Sequence, residues 1–102
     1  MKPVTVINHI VVKPGKMDEF IEAQRGFAVG LMTTPNGLIG SRMYKGADGT
    51  TAILVSQFAS MTAWEEVRQH HAFKNHLSKL QPLVESSSPS LCEETYTSGA
   101  FQ

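Results

Sequence analysis

The 102-residue sequence predicts an α+β fold in which one four-stranded antiparallel sheet carries its helices on a single face. Three features lead to this prediction: apolar runs of strand length, two stretches with apolar residues at helical spacing, and a glycine-rich hairpin between the middle strands. The resulting order is strand, helix, strand, strand, helix, strand. This order is the split βαβ arrangement of ferredoxin-like folds.

The first quarter of the chain predicts a strand followed by an amphipathic helix. The run from Val4 to Val12 is rich in β-branched residues, and both of its faces are largely apolar, so we expect both to be covered. A Pro-Gly pair then turns the chain. Apolar residues recur at helical spacing from Met17 to Leu31, and Gln24 is the one polar side chain on that stripe. Residues 33–37 (TTPNG) end this helix.

The middle of the chain predicts a β-hairpin. Leu38 to Lys45 and Thr51 to Phe58 are the two strands. Between them, residues 45–50 (KGADGT) supply two glycines and an aspartate that tolerate positive φ.

A second helix follows the hairpin, and either Ser60 or Thr62 is expected to cap its first turn. Its apolar residues form two stripes, so we expect a kink or short break near His70 and His71 to separate them. Pro82 closes the helix.

The last part of the chain predicts a loop and a final strand. The serine-rich stretch from Ser86 to Ser90 is expected to be a loop, and Leu91 to Thr97 the fourth strand. The whole chain, 1–102, is one domain because two cores would not fit in this length. Its core spans 3–97, and 98–102 form a tail.

Composition excludes several classes of function. The formal net charge is zero and both signs are spread along the chain, which argues against a basic nucleic-acid-binding face. No apolar run has the length of a membrane span, and the N-terminus lacks a signal-peptide core. The single Cys92 cannot form an internal disulfide, which fits a reducing cytoplasm, and it is expected to pack in a strand as a small apolar residue. We therefore expect a cytoplasmic protein with neither a membrane nor a nucleic-acid partner.

A sheet with helices on one face leaves its other face bare. If the registers of the first and third strands agree, Ile7, Val11, Leu54 and Phe58 are expected on that bare face. An exposed apolar surface of this size usually marks an interface. We therefore expect a two-fold homodimer in which the two sheets face each other.

The organisation resembles the antibiotic biosynthesis monooxygenase family of dimeric α+β barrels. The resemblance is carried by VVKPGKMDEF after the first strand, by residues 35–37 (PNG), and by SQFASMTAWEEVRQHHAFKNH. Within the last segment, four residues match the family's pattern. Phe58 is the aromatic residue that ends the strand, and Ser60 lies in the short step that caps the helix. Trp64 and Phe73 are the aromatic anchors of the helix. The resemblance implies a small monooxygenase that acts on an aromatic or quinol-like molecule without an organic cofactor.

The chain is also similar in two places to the family's haem-degrading branch. Asn8 matches an asparagine that faces the pocket from the first strand, and His76 lies at or within one residue of the axial histidine. That branch also carries a tryptophan that distorts the porphyrin. The matching position here is Val67, and Trp64 lies one turn earlier. This resemblance implies an alternative function, haem binding and breakdown with His76 as the axial ligand.

Three residues are candidates for catalysis. Asn8 interrupts an apolar strand face, where an unpaired amide would cost about 1–3 kcal/mol, so it is a candidate donor to a substrate oxygen or to dioxygen. His76 lies on an apolar helical stripe and is a candidate general base, and His71 is a second. Four side chains are expected to bind an aromatic substrate: Trp64, Phe27, Val67 and Phe73.

The other histidines favour plainer interpretations. His70 is expected in solvent, and His9 should point to the dimer side because it alternates with Asn8. The three helical histidines lack the four-residue spacing of helical metal sites, so no metal site is predicted. A third hypothesis is a dimeric ligand-binding barrel without catalysis, in which Asn8 and the histidines are satisfied internally.

Overall fold

The computed structural model describes residues 2–32 and 37–101, and within them four strands and three helices follow the predicted order. The sheet has the order β2-β3-β1-β4, and every neighbouring pair is antiparallel. The ferredoxin-like α+β prediction is therefore confirmed. The strands are β1 (Val4–Val12), β2 (Leu38–Lys45), β3 (Thr51–Phe58) and β4 (Val84–Cys92). The helices are α1 (Met17–Met32), α2 (Met61–Gln69) and α3 (His71–Leu80), and a 3₁₀ turn, Gln81–Leu83, leads into β4.

The register of the two central strands corrects one prediction. Asn8 lies opposite Leu54, and Val4 lies opposite Phe58. Leu54 and Phe58 therefore share the helix-covered face with Asn8 and do not lie on the bare face with Ile7. Phe58 is buried there because it packs against side chains of β1 and α2.

The apolar layer between sheet and helices has two parts. One cluster contains Ile10 and Val12 of β1 together with Phe20 of α1, which is fully buried. The other contains Val6, Phe58 and, from α2, a single buried valine. The two clusters lie on either side of Asn8 along the same face of β1, so the core is interrupted at that residue.

The hairpin and the helix caps agree with the sequence prediction. In the hairpin, Asp48 Oδ1 accepts hydrogen bonds from the backbone N–H groups of Thr50 and Thr51, each at 2.9 Å. At the start of α2, Ser60 Oγ accepts from the backbone N–H of Ala63 at 3.1 Å. Of the two candidate caps, Ser60 is thus the residue that fills the role.

The predicted turn at 33–37 lies outside the described residues except for its last glycine. Gly37 has φ of 81°, and a Cβ at this position would collide with the Cβ of Ala63. Glycine is therefore required where the chain passes the first turn of α2.

The expected break in the second helical segment is confirmed at His70. This residue is extended, with φ −68° and ψ 141°, and its Nδ1 accepts a hydrogen bond from the backbone N–H of Ala72 at 3.1 Å. His70 is exposed as expected, but it also caps α3. On one continuous helix, Trp64 and Phe73 would lie about two and a half turns apart, on opposite sides. The break resets the helical phase, so both can face the sheet.

The prediction for the last strand was wrong. The serines at 86–90, predicted as a loop, pair with β1 from Val11 to Ile7, and the strand ends at Cys92. This segment shows no apolar alternation, because β4 is an edge strand whose side chains are mostly exposed. Backbone pairing alone defines such a strand, and an edge position also tolerates Pro89.

Candidate active site

A cavity of about 660 Å³ lies between the sheet and the helices. It has the size of typical small-molecule sites, which span roughly 300–1,000 Å³. It follows β1 from the cluster around Val6 to the cluster around Ile10, with Asn8 between them. Its walls are mainly apolar and include Val6, Ile10, Phe20, Leu31, Leu54 and Leu80.

Asn8 lines this cavity midway along β1. Its carbonyl oxygen, Oδ1, accepts a hydrogen bond from Ser87 Oγ on β4 at 3.1 Å. Among the described residues, none accepts a hydrogen bond from the amide nitrogen. With Oδ1 as the acceptor, the two N–H groups of Asn8 are available as donors.

His76 is held by Gln24 and by an aromatic ring of α1. Its Nε2 is hydrogen-bonded to Oε1 of Gln24, and its imidazole lies 4.0 Å from the ring centre of Phe27 with only 4° between the planes. Phe27 in turn meets Phe73 edge to face, with ring centres 5.9 Å apart. Together these rings form one aromatic wall of the cavity.

The environment of His76 keeps it neutral at physiological pH. Burial, together with the positive charge of Lys79, lowers the pKa of His76 from 6.5 to about 4. A glutamine oxygen can only accept a hydrogen bond, so Nε2 of His76 carries the proton in this pairing. The nitrogen left able to take a proton is Nδ1.

Beside the cluster of Val6 and Phe58, the ring of Trp64 is in contact with an arginine. The guanidinium carbon of Arg68 lies 4.4 Å from the centre of the Trp64 ring, the geometry of a cation–π contact. Val67, which lies between them in the sequence, is buried against Val6 and Phe58.

Of the residues predicted for the site, six line the cavity and one does not. His71 is exposed and lies outside it, because the break at His70 makes His71 the first residue of α3. His9 is exposed and pairs across from Ile53, on the sheet face away from the helices. The six that line the cavity are Asn8, Phe27, Trp64, Val67, Phe73 and His76.

Sequence reasoning did not assign three further residues of the site. Gln24 was recognisable only as a polar interruption of an apolar stripe, with no indication that it would reach His76. Ser87 lay in a predicted loop, and its bond to Asn8 depends on the pairing of β4 with β1. Arg68 gave no signal, since a charged residue in a helix is usually solvated.

The haem alternative would have to use Nδ1 of His76. In this structure Nε2 is bonded to Gln24 and one ring face is covered by Phe27, so Nδ1 is the ring nitrogen left for a ligand.

Over residues 2–32 and 37–101, no group of three or more His, Cys, Asp or Glu side chains could hold a metal ion. In the same part of the chain, no helix is long and apolar enough to cross a membrane.

Comparison with known proteins identifies the family. The sequence profile of the family described as antibiotic biosynthesis monooxygenase matches residues 3–79 of the 102. The chain belongs to the antibiotic biosynthesis monooxygenase family. No curated protein sequence matches it.

Solved structures of several other proteins have the same fold as this member of the antibiotic biosynthesis monooxygenase family. SnoaB, a cofactor-independent oxygenase from Streptomyces nogalater, is 19% identical, with a TM-score of 0.84 over 95% of this chain and 97% of its own. Rv0793 from Mycobacterium tuberculosis is 17% identical, with a TM-score of 0.80 over 96% and 100% of the two chains. A conserved protein from Methanosarcina mazei Go1 is 14% identical, with a TM-score of 0.80 over 93% and 95%. At these identities the similarity establishes the fold alone.

The lowered pKa of His76 predicts a loss of stability in acid. Between about pH 6.5 and pH 4 the unfolded chain binds a proton on His76 that the folded protein excludes, so the free energy of unfolding falls as the pH falls through this window. One pKa unit corresponds to ~1.4 kcal/mol. Partial screening by solvent reduces the total, and we expect a loss of about 2 kcal/mol.

The measurement is urea unfolding of the wild type and of His76→Gln, at about pH 7 and about pH 4.5. The variant should lose less stability than the wild type, whereas His71→Gln, which alters an exposed histidine, should behave like the wild type. Equal losses in the wild type and in His76→Gln would contradict the prediction.

Proposed function

We propose that this protein is a monooxygenase that oxidises a flat aromatic or quinol-like small molecule without an organic cofactor. The observation that carries the proposal is an apolar cavity with aromatic walls and, midway along β1, the amide of Asn8, whose N–H groups have no acceptor among the described residues. Membership of the antibiotic biosynthesis monooxygenase family supports the reaction class. The similarity in fold to SnoaB, a cofactor-independent oxygenase, supports the absence of a cofactor.

In this reaction the substrate supplies all the electrons. A substrate AH₂ and one O₂ give the oxidised product A=O and one H₂O, as when an anthrone becomes an anthraquinone. An electron-rich phenolate passes one electron to dioxygen, and the two radicals combine to a peroxide at a ring carbon. Loss of water from that peroxide gives the quinone, so no external reductant is needed.

The role we propose for Asn8 is to stabilise negative charge on a substrate oxygen. Its N–H groups lie in a largely apolar cavity, where a fixed dipole is stronger than it is in water. The hydrogen bond from Ser87 fixes the amide, so the donors need not reorganise when charge develops.

The role we propose for His76 is to take the proton of the phenol through Nδ1. Its low pKa makes it a weak base in the empty cavity. A phenolate formed beside the ring raises the pKa of the imidazole, because the opposite charge favours the protonated form. His71 has no part in this scheme, since it lies outside the cavity.

The non-catalytic hypothesis requires the cavity to be filled by side chains or used only to hold a ligand. The open volume beside Asn8 and His76 favours a ligand over a filled interior. Turnover with consumption of dioxygen then separates an oxygenase from a binding protein.

We further propose that the protein is a homodimer through the uncovered face of the sheet. That face carries Ile7 and Val11 of β1 opposite Val55 and Thr51 of β3, with Ile53 beside them. No helix of the described chain packs on this face, although these aliphatic side chains together form an apolar surface. A second copy, related by a two-fold axis, would bury it.

The test of the oxygenase proposal is oxygen consumption with 1,8-dihydroxyanthrone as the probe substrate. We expect one O₂ consumed for each quinone formed. Asn8→Ala should lower kcat on the order of 10²-fold, the usual cost of removing one donor to a developing oxyanion. Asn75→Ala removes the same side chain from an exposed position of α3 outside the cavity and should leave kcat unchanged. Full activity in a folded Asn8→Ala protein would refute the role of Asn8, and no turnover by the wild type would leave the binding-protein alternative.

The homodimer is tested by sedimentation equilibrium. The wild type should have twice the chain mass of 11.2 kDa. Ile53→Glu places a charge in the interface and should give the single-chain mass, because an unpaired buried charge is strongly unfavourable. Val29→Glu adds the same charge to an exposed apolar position on α1 and should remain dimeric. A wild type with the single-chain mass would refute this assembly.

A further inference from the structure

We propose that the substrate carries an anionic group, a carboxylate or its equivalent, which Arg68 binds at the Trp64 end of the cavity. The inference rests on the proposed function, because it names the class of substrate that the same cavity takes. The observation behind it is an arginine that lines a largely apolar cavity and lies over the ring of the chain's single tryptophan.

The stack on Trp64 holds the guanidinium at the cavity wall. The guanidinium carbon lies 4.4 Å from the centre of the ring. A guanidinium carries five N–H groups in one plane, and two of them can bind a planar anion through parallel hydrogen bonds. A lysine would offer a point charge without this paired geometry.

Arg68 is exposed and shares a surface pocket with Glu65 and Glu66, but it forms no ion pair within the described residues. The ion pairs there join Lys2 to Glu93, Lys16 to Glu19 and Arg25 to Glu22, and none includes Arg68. Among the cavity-lining residues described, the other charged side chain is Glu85. Glu85 follows Val84, which pairs with Val12 at the far end of β1.

The cavity therefore has a positive end and a negative end. The Arg68 end lies beside Val67, Val6 and Phe58, and the Glu85 end lies beside Val12. Such a field orients an asymmetric ligand, with its anionic group toward Arg68 and its neutral rings along the apolar walls beside Asn8. The anion thus sets which ring of the substrate faces the Asn8 amide.

The test compares two fluorescent dyes that share a ring system. The first, 8-anilinonaphthalene-1-sulfonate, carries an anionic sulfonate, and the second, N-phenyl-1-naphthylamine, lacks it. Excitation of Trp64 and energy transfer to the dye report binding, and competition by 1,8-dihydroxyanthraquinone assigns the binding to the cavity. The variants are R68Q, R68K, and R25Q as the control, since Arg25 lies on α1 outside the cavity.

We expect R68Q to weaken binding of the sulfonate dye about twofold to fivefold, the range for an ion pair exposed to solvent. Binding of the neutral dye should change by less than about 1.5-fold, well below the effect of a lost ion pair. R68K should fall between the wild type and R68Q, and R25Q should match the wild type with both dyes.

The outcomes separate this inference from the proposed function. If R68Q binds the sulfonate dye as tightly as the wild type does, and both dyes bind in the cavity, the anion site is overturned. The oxygenase proposal is unaffected by that result. Equal weakening of both dyes would also overturn it, because Arg68 would then only shape the cavity through Trp64. Failure of the wild type to bind either dye near Trp64 would overturn the anion site together with the aromatic-binding cavity of the proposed function.

Discussion

The polar amide of Asn8, placed in the middle of an otherwise apolar strand face, divides the core of this protein. On one side of it Val6 packs with Phe58 and Val67, and on the other Ile10 and Val12 pack with Phe20. A leucine at position 8 would have joined the two clusters into one continuous layer. The amide needs a partner, which Ser87 supplies from the edge strand, and a cavity remains beside it.

The helices are arranged around the same interruption. The break at His70 is stabilised by the side chain of that residue, which caps α3. Because the break resets the helical phase, Trp64 and Phe73 both reach the cavity although they are nine positions apart. The hydrogen bond between Gln24 and His76 then joins α3 to α1, and Phe27 covers one face of the imidazole. These contacts position the polar groups beside mainly apolar walls, where an electrostatic interaction is stronger than in bulk water.

Much of the fold was predictable from the sequence because its elements follow strong local rules. The β-branched run at Val4–Val12, the apolar stripe of α1 and the Gly-Asp hairpin each identify one structure. β4 was misplaced because an edge strand needs only backbone pairing, so its serines carried no apolar signal. The face of Leu54 was missed for another reason. The register between β1 and β3 is a tertiary property that alternation within one strand cannot specify.

The candidate site was predictable where a residue contradicted its surroundings. Asn8 on an apolar strand face and His76 on an apolar helical stripe were recognised for that reason, and both line the cavity. Ser87 and Arg68 were not recognised, because a serine on a strand or an arginine on a helix is ordinary until its neighbours are known. His71 was misassigned because its position depends on the geometry of the helix break, which the sequence indicated without specifying.

The central claim is that an aromatic ligand enters the cavity and contacts the amide of Asn8. The most direct measurement is a nuclear magnetic resonance titration of protein labelled with ¹⁵N at asparagine, using the unreactive 1,8-dihydroxyanthraquinone as ligand. The claim predicts a saturable shift of the Asn8 side-chain amide signals and none for Asn75. A ligand that saturates the protein without moving the Asn8 signals would contradict it.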